Sequence, residues 1–328
     1  MRLKQPFLQL PRRFCAETLA AEVRALPPSA WVPHPGNYAG NDAVLLITPG
    51  GQMTNAFAGP MAPTEHLAKC PYIMEVMAEI GAVWGRSRLM GLAPGADVPA
   101  HVDINYHWRT HLRVHVPVIT TPKVVFTCGG DKVHMAPGEC WIFDSFRMHG
   151  VHNGGSEKRV HLVLDTVGGE ELWDLIEEAE GAGPGAAPKD CPPGQRPTDT
   201  IAYERVNTPT IMSPWEVRCH IDFIHEHMVP DPRLDSAFKR LDKFAYAWIG
   251  AWARYGEAEA GIPHYQRLIA GVQRDIAALG GGEMKLRNQI PLSTELLELI
   301  FKVAVPQQRP KPVGFGAPQP LGARRLAS

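Results

Sequence analysis

The sequence has little net charge and no long apolar run. Of its 328 residues, 33 are Lys or Arg and 34 are Asp or Glu, so the formal net charge is −1. Such a balance provides no broad attraction to phosphate backbones or anionic lipids. No apolar stretch approaches the roughly 18–20 residues that span a bilayer, and Pro6 and Pro11 interrupt the apolar N-terminus that a signal peptide would need. The sequence therefore predicts a soluble, cytoplasmic protein without nucleic-acid or membrane partners.

Cysteine pairs at metal or redox spacing are also absent. The six cysteines are widely separated, and none stands in a C-x-x-C pair. This spacing argues against a zinc knuckle or a dithiol redox site and favours scattered, reduced thiols. The apolar share of 45% is sufficient for a sizeable core. Because single cores seldom exceed about 250–300 residues, the length predicts one large or two modest domains.

Turn residues divide the chain into a β-rich part and a helical part. Between Arg88 and Gly168, short apolar runs alternate with Pro-Gly and Gly-Gly turns, a pattern typical of a sandwich or barrel rather than of βαβ units. The predicted strands cover 89–92, 112–119, 123–127, 140–143 and 160–166. The predicted helices cover 61–84 on either side of Pro71, 170–180, 214–228, 233–255, 264–279 and 293–303.

These patterns predict four segments. They are a β-barrel domain with N-terminal helices over 1–180, a Pro/Gly-rich linker over 181–210, a helical C-terminal domain over 211–306 and a disordered tail over 307–328. Apolar stretches at 215–224 and 244–252 make the C-terminal helices candidates for a homodimer contact. An ordinary core within the chain would explain these stretches equally well.

Histidine is concentrated in the β-rich part, where eight of fourteen lie between His101 and His161. In His101-Val102-Asp103 an imidazole and a carboxylate project from the same face of a strand. With one distant histidine they would form the two-His, one-carboxylate group that leaves three positions open on iron(II). Either His149 or His152 is a candidate for that third ligand. The H-x-D motif by itself is common, so the residue pattern alone is weak support for a metal site.

Two predicted strands place basic groups and histidines on one face. On the first strand these residues are His111, Arg113 and His115. On the second strand they are Arg159, His161 and Asp165. A polar lumen inside a barrel would explain both faces, and so would an exposed face of a sheet. Arginines in a lumen suit a dicarboxylate ligand, because the guanidinium fork binds a carboxylate through two parallel hydrogen bonds.

The segment from Pro94 through Gly168 resembles the aspartyl/asparaginyl β-hydroxylase family of Fe(II)/2-oxoglutarate-dependent oxygenases, which includes bacterial free-proline hydroxylases. The matching features, in order, are the Pro-Gly turn before His101, the strand His111-Leu112-Arg113-Val114-His115, the run Gly138-Glu139-Cys140-Trp141-Ile142-Phe143-Asp144, His149 and Arg159 at the family spacing, and Leu164-Asp165. The resemblance implies a mainly β catalytic domain, a double-stranded β-helix (jelly-roll, cupin-like barrel) with flanking helices, plus a smaller α-helical C-terminal domain.

The resemblance also implies roles for single residues. The implied iron ligands are His101, Asp103 and His149. Arg159 corresponds to the arginine that binds the distal carboxylate of 2-oxoglutarate, and Arg113 and His115 correspond to the pair that contacts its other end. Vertebrate members lack the carboxylate at Asp103 and have a cosubstrate-contacting serine at the position of Met90. Many bacterial members have the carboxylate.

The implied reaction uses Fe(II), 2-oxoglutarate and O₂ to hydroxylate an unactivated C–H bond, with release of succinate and CO₂. The substrate is an amino acid, free or peptide-borne, with the Asp or Asn β-carbon and the proline ring as candidate positions. Trp108, Arg109 and His161 are candidates for substrate contact, although a solvated charge at Arg109 and a structural histidine at His161 remain alternatives. A non-catalytic, cupin-like metal-binding module is the alternative function, but it has no need for Arg159.

Overall fold

The strands form where apolar and polar residues alternate, and the helices where apolar residues recur every three or four positions. The structure, a computed structural model, describes residues 3–36, 38–182 and 187–305. In these ranges the strands are β1 (Phe7–Phe14), β2 (Val32–Pro33), β3 (Asn41–Pro49), β4 (Met61–Pro63), β5 (Val83–Leu92), β6 (Asp97–His101), β7 (Leu112–Ile119), β8 (Val124–Cys128), β9 (Asp131–Val133), β10 (Glu139–Phe143), β11 (His149–Asn153), β12 (Arg159–Gly168), β13 (Lys189–Cys191) and β14 (Ala202–Tyr203). The α-helices are α1 (Ala16–Ala25), α2 (Pro71–Ile80), α3 (Tyr106–Thr110), α4 (Glu170–Gly181), α5 (Pro214–His227), α6 (Leu234–Tyr255), α7 (Ile262–Ala278) and α8 (Leu292–Leu296), the last continued by the π-helical turn Leu297–Phe301.

Two sheets build the β domain. The larger has the order β13-β1-β10-β7-β12-β5-β3-β2, with β4 added to β3 and β14 added to β5. The smaller has the order β6-β11-β8-β9. The consecutive strands β10, β11 and β12 alternate between the sheets, since β10 and β12 belong to the larger and β11 to the smaller. The chain thus passes back and forth between two facing sheets, as in a jelly roll.

One face of the larger sheet is aliphatic and is covered by helices. Val114 on β7 and Leu162 and Leu164 on β12 are fully buried in a core that includes Leu19 of α1 and Ile73 of α2. The aliphatic face therefore packs outward against helices, as the alternation on these strands predicts. Its burial supplies the hydrophobic stabilisation of the domain and leaves the polar face directed into the lumen.

Apolar residues fill only part of the space between the sheets. Phe143 and Leu92 of the larger sheet meet Phe126 and Val151 of the smaller one. Polar and charged side chains occupy much of the remaining lumen. The predicted fold class is confirmed: a mainly β jelly roll, or double-stranded β-helix, has flanking helices and is followed by C-terminal helices.

Several strands form by pairing with distant segments and are not evident from the sequence pattern. Strand β7 coincides with the predicted 112–119, but β1 and β3 are not predicted from the sequence. Phe7 of β1 pairs with Phe143 of β10, so distant backbone hydrogen bonds make this proline-containing segment a strand. The predicted helix over 61–84 is too long, because β4 pairs with β3 and the helix begins only at Pro71.

The Pro-Gly turns adopt the backbone conformation that glycine permits. Gly95 has φ 70° and Gly138 has φ 79°. At Gly138 an added Cβ would lie 2.2 Å from the carbonyl oxygen of Phe14. A side chain at this turn would therefore clash with β1, in addition to the cost of the left-handed backbone.

The segment predicted as a linker lies against the β domain wherever it is described. Strand β13 pairs in parallel with β1, and β14 pairs in parallel with β5. The side chains of Lys189 and Arg196 both bind Glu79 of α2. The composition predicts no packed element there. Strand pairing with β1 and β5, together with the two contacts to Glu79, nevertheless holds this segment against the β domain. Residues 183–186 of this segment, and the predicted tail over 307–328, lie outside the described residues.

Glu79 is expected to stabilise this attachment in a pH-dependent way. Burial raises the pKa of Glu79, but hydrogen bonds from Arg196 and Lys189 outweigh it and lower the pKa to about 2. The stabilisation is therefore complete above the unfolded pKa of about 4.3 and is lost as the pH falls through the folded pKa. We expect Glu79→Gln to lower the free energy of unfolding by about 2 kcal/mol at pH 7, since its partners are partly exposed.

Urea unfolding at pH 7 and pH 3 measures this effect. The difference between the wild type and Glu79→Gln should shrink at the lower pH. The control is Glu178→Gln, since Glu178 is 54% exposed and contacts Arg12 at 3.4 Å, and it should change stability by less than about 0.5 kcal/mol. Equal losses in the two variants would contradict this explanation.

The C-terminal helices pack around a separate apolar core and also touch the barrel. Phe244 and Trp248 lie in that core. On the barrel side, the Tyr106 hydroxyl donates to Glu216 at 2.5 Å, and Phe146 packs edge-on against Phe223, with ring centroids 5.0 Å apart. Helix α5 is therefore in contact with the loops that follow β6 and β10.

Parts of the predicted dimer surface are exposed. Trp215 is 77% and Tyr246 is 69% exposed, whereas Ile221 and Phe244 lie in the helical core. A homodimer contact through these helices stays a prediction. Among the helices of the described chain, none is both long enough and apolar enough to cross a bilayer.

Candidate metal centre

Pairing between β6 and β11 brings two histidines together. His101 ends β6 and pairs directly with His149, the first residue of β11. Their ring centroids are 4.2 Å apart. Asp103 follows two residues later, and its backbone N–H donates to the carbonyl of Ser145 at 3.1 Å. One ligand atom from each of His101, Asp103 and His149 lies within 4.8 Å of the others.

Backbone carbonyls orient both imidazole rings. The Nδ1 of His101 lies 2.8 Å from the carbonyl oxygen of Pro99, and the Nδ1 of His149 lies 2.9 Å from that of Arg147. A carbonyl oxygen only accepts, so each Nδ1 carries the proton and each Nε2 keeps its lone pair. The two Nε2 atoms lie 3.9 Å and 3.8 Å from the oxygens of Asp103. Three electron-pair donors therefore converge on one point.

The electrostatics of the group suit a divalent cation. Within the described chain, the buried atoms His149 Nε2 and Asp103 Oδ2 have no hydrogen-bond partner. Burial lowers the pKa of His149 to about 4, so the imidazole is neutral at pH 7. Metal ligands must be deprotonated, and buried polar atoms ordinarily find partners. A cation at this point would satisfy both orphaned atoms, so the residues present fit a metal.

Arg113 lies between two carboxylates. Its Nε donates to Asp165 at 3.0 Å, and its Nη1 lies 3.5 Å from Asp103. Burial lowers the pKa of Arg113, but the two carboxylates outweigh burial and raise it. Trp108 covers the guanidinium at 4.0 Å. Arg113 therefore lies beside Asp103 Oδ2, the oxygen that is also 3.8 Å from His149 Nε2.

The metal group faces a cavity of about 370 Å³ in the lumen of the barrel. Arg159 and His115 line it. Arg159 is 4% exposed and its Nε has no hydrogen-bond partner in the described chain. Burial lowers its pKa to about 9, and burial together with the charge of Arg159 keeps the pKa of His115 well below its usual value. A buried cation beside a neutral imidazole lacks a counter-charge, which an anion entering the cavity would supply.

The sequence of the barrel matches one family. Residues 44–168 match the family model described as Aspartyl/Asparaginyl beta-hydroxylase. These residues, somewhat more than a third of the chain, are thus similar to the aspartyl/asparaginyl β-hydroxylase family. The match contains β5 through β12 and thus all three members of the metal group.

A curated relative of the chain is L-proline cis-3-hydroxylase 1 of a Streptomyces species. The two are 24% identical over 110 residues, which are 32% of this chain and 38% of that enzyme. The chain therefore matches well under two thirds of the length of this relative.

Several solved structures are similar in fold. A prolyl-4-hydroxylase from Pseudomonas putida is 14% identical, with a TM-score of 0.34, over 50% of this chain and 92% of that one. An oxidoreductase of the 2OG-Fe(II) oxygenase family from Burkholderia pseudomallei is 11% identical, with a TM-score of 0.32, over 48% and 93%. A Trichoplax adhaerens prolyl hydroxylase, in complex with a hypoxia inducible factor peptide fragment, is 12% identical, with a TM-score of 0.36, over 52% and 87%. At these TM-scores, the fold assignment rests on the sheet topology itself.

The three predicted substrate residues take different places in the β domain. Trp108 lines the cavity. Arg109 points to the C-terminal helices, where its guanidinium lies 4.1 Å from the ring centre of Phe223. His161 lies behind the cavity wall, with its Nδ1 3.4 Å from that of His115. Of the three, only Trp108 is among the residues that line the cavity.

The rival third ligand is directed outward. His152 follows His149 by three residues on β11, so it points to the opposite face of the sheet. Its side chain is 53% exposed and its Nδ1 lies 2.7 Å from Asp97. The β domain thus brings His149, and not His152, to Asp103.

Two arginines of the cavity were not predicted from the sequence. Arg86 and Arg88 lie on β5, line the cavity and are each 4% exposed. Met90, two residues further along the same strand, also lines the cavity in place of the family serine. The signal was present in the alternation Arg86-Ser87-Arg88, which repeats the polarity of the strand around Arg113.

Proposed function

We propose that the chain is an Fe(II)- and 2-oxoglutarate-dependent dioxygenase that hydroxylates an unactivated C–H bond of an amino acid, free or peptide-borne. One juxtaposition carries the proposal: a two-His, one-Asp group faces the same cavity as the buried Arg159, which has no carboxylate partner among the described residues. The first leaves open positions on a metal, and the second suits a carboxylate. The match to the β-hydroxylase family model and the similarity to an L-proline hydroxylase support a hydroxylase.

The protein's own contribution begins with the metal ligands. His101 and His149 would bind iron through Nε2, and Asp103 through a carboxylate oxygen. The carbonyl oxygens of Pro99 and Arg147 hold the rings in that orientation. Iron(II) held there would supply, with 2-oxoglutarate and O₂, the oxidising chemistry that hydroxylates the substrate and releases succinate and CO₂.

Other residues position the cosubstrate and the carboxylate ligand. Arg159 would bind the distal carboxylate of 2-oxoglutarate by its guanidinium fork. His115, neutral beside Arg159, offers its unpartnered Nε2 to the same ligand. Arg113 holds Asp103 and is itself held by Asp165. Because these groups are buried, each charge interaction between them is stronger than it would be in water.

An assay of cosubstrate turnover tests the proposal. The purified chain is mixed with iron(II) and 2-oxoglutarate without oxygen, and a visible absorption band is expected. Oxygen is then added with a panel of free amino acids and of Asp- or Asn-containing peptides, and succinate is measured. Succinate formation should need iron and stop on addition of a chelator. Metal binding without the band and without succinate would favour the cupin-like binding module.

A further inference from the structure

Two of the four arginines that line the cavity lack a carboxylate partner. Arg86 and Arg113 lie 3.7 Å and 3.0 Å from Asp165. For Arg88 and Arg159, no ion pair or side-chain hydrogen bond forms with any residue that the structure describes. Both are only 4% exposed. Burial keeps the pKa of Arg88 well below its usual value, which reflects the free-energy cost of an unpaired, buried cation.

The two unpaired arginines belong to different ends of the cavity. Arg88 on β5 pairs in register with Val163, four residues from Arg159 along β12. At about 3.3 Å per residue, their positions on the sheet are about 13 Å apart. The charge of Arg159 acts on His115, whereas the charge of Arg88 acts on His34. The cavity therefore has two separate cationic poles.

The pole at Arg88 lies toward an opening to solvent. His34 and Tyr38 line the cavity with Arg88, and their rings stack with centroids 5.6 Å apart. Tyr38 is 43% exposed, so the cavity reaches the surface beside it. Burial, and then the charge of Arg88, lower the pKa of His34 to about 4. A neutral His34 leaves Arg88 as the cation that an entering ligand meets at this end.

One molecule of cosubstrate cannot neutralise both poles. In the proposed function, 2-oxoglutarate uses one carboxylate at the metal and the other at Arg159, so Arg88 still lacks a partner. We propose that Arg88 is the anchor for a carboxylate of the substrate. This inference rests on the proposed function and narrows its substrate class to amino acids that bring a carboxylate to the cavity. The carboxylate is the α-carboxylate of a free amino acid or the side chain of an aspartyl residue in a peptide.

Binding measurements without iron test the inference independently of catalysis. The probes are L-proline, L-aspartate and an end-blocked aspartyl peptide, compared with L-prolinamide and the matching asparaginyl peptide, which lack the carboxylate. We expect wild-type protein to bind at least one carboxylate probe and Arg88→Gln to bind it about 100-fold more weakly. Arg88→Lys should lie between them, because it keeps the charge without the fork. The inference is overturned if the wild-type chain binds none of the carboxylate probes. It is also overturned if the wild-type chain binds the probes that lack the carboxylate equally well.

Measuring the absorption band with the cosubstrate distinguishes failure of this inference from failure of the proposed function. With iron(II) and 2-oxoglutarate, Arg88→Gln should keep the absorption band of the wild type, because Arg159 is intact. Loss of the band in this variant would assign Arg88 to the cosubstrate and overturn the inference. Absence of the band in the wild type would count against the proposed function, while the iron-free binding measurements still decide the role of Arg88.

A stability measurement distinguishes a binding role from a structural one. Arg88→Met removes an unpaired, buried charge and keeps much of the volume, so the Tm should rise by several degrees. The variant should at the same time lose the carboxylate probe that Arg88→Gln loses. A fall in Tm together with unchanged probe binding would show that Arg88 serves the fold and would refute the assignment.

Discussion

Replacing His149 with alanine is expected to reduce iron-dependent succinate formation to below about a thousandth of the wild-type rate. Loss of a residue that only hydrogen-bonds a metal ligand already costs about 10–100-fold in metal affinity or activity, so loss of a ligand itself should cost more. His149 is 3% exposed, and its Nε2 has no hydrogen-bond partner in the described chain. Its removal leaves His101 and Asp103 as the remaining ligands. We expect iron binding, measured by calorimetry, to weaken in parallel with turnover.

His152→Ala is the matched control for this prediction. It removes the same chemical group three residues along the same strand, but His152 is exposed and contacts Asp97. Its iron affinity and succinate formation should stay within about twofold of wild type, as for most surface substitutions. Comparable losses in His149→Ala and His152→Ala would show that β11 is simply intolerant of change and would remove this support for the metal site.

Replacing Arg159 with glutamine raises the KM for 2-oxoglutarate by about 100-fold or more, because truncating one partner of a buried charge pair costs about 2–5 kcal/mol. Arg159 is buried, lines the cavity and has no carboxylate partner in the described ranges. Iron affinity should stay near that of the wild type, since Arg159 is not one of the converging ligands. Kinetics at varied 2-oxoglutarate concentration and iron titration measure the two effects separately.

Two further variants sharpen this result. Arg159→Lys keeps the positive charge but not the two parallel hydrogen bonds, so its KM should lie between those of the wild type and the glutamine variant. Arg24→Gln changes an exposed arginine near the end of α1 and should leave the KM unchanged. An unaltered KM in Arg159→Gln would place the distal carboxylate of the cosubstrate elsewhere.

The residues that converge on the metal position could be predicted because local spacing already constrains them. His101 and Asp103 are two positions apart, and the offset from His149 to Arg159 marked His149 over its neighbour His152. The partners of the arginines could not be predicted in the same way. Arg113 lies against Asp103 and Asp165 and also lines the cavity, so its implied contact to the cosubstrate stays a prediction. Which charge meets which depends on register across β7 and β12.

For Arg109 and Arg88, distance from the metal-binding motif along the chain does not predict whether the side chain lines the cavity. Arg109 stands near the metal-bearing strand in sequence, but α3 turns it toward Phe223 of the C-terminal helices. Arg88 stands far from any motif in sequence, but pairing of β5 with β12 places it in the lumen. Proximity along the chain therefore pointed to an arginine outside the cavity and missed one inside it, and a substrate contact of Arg109 stays a prediction.

By itself, the sequence determined the near-neutral charge, the alternation that makes strands and the aliphatic face that packs against helices. It also supplied the H-x-D motif, although β6 ends at His101 and Asp103 lies just beyond the strand. Only the tertiary structure decided that β6 and β11 are neighbours, that Arg88 and Arg159 have no carboxylate partner among the described residues, and that the predicted linker pairs with β1 and β5. The physical reason is that strand pairing and charge pairing join residues far apart in the chain, and no local pattern specifies such partners.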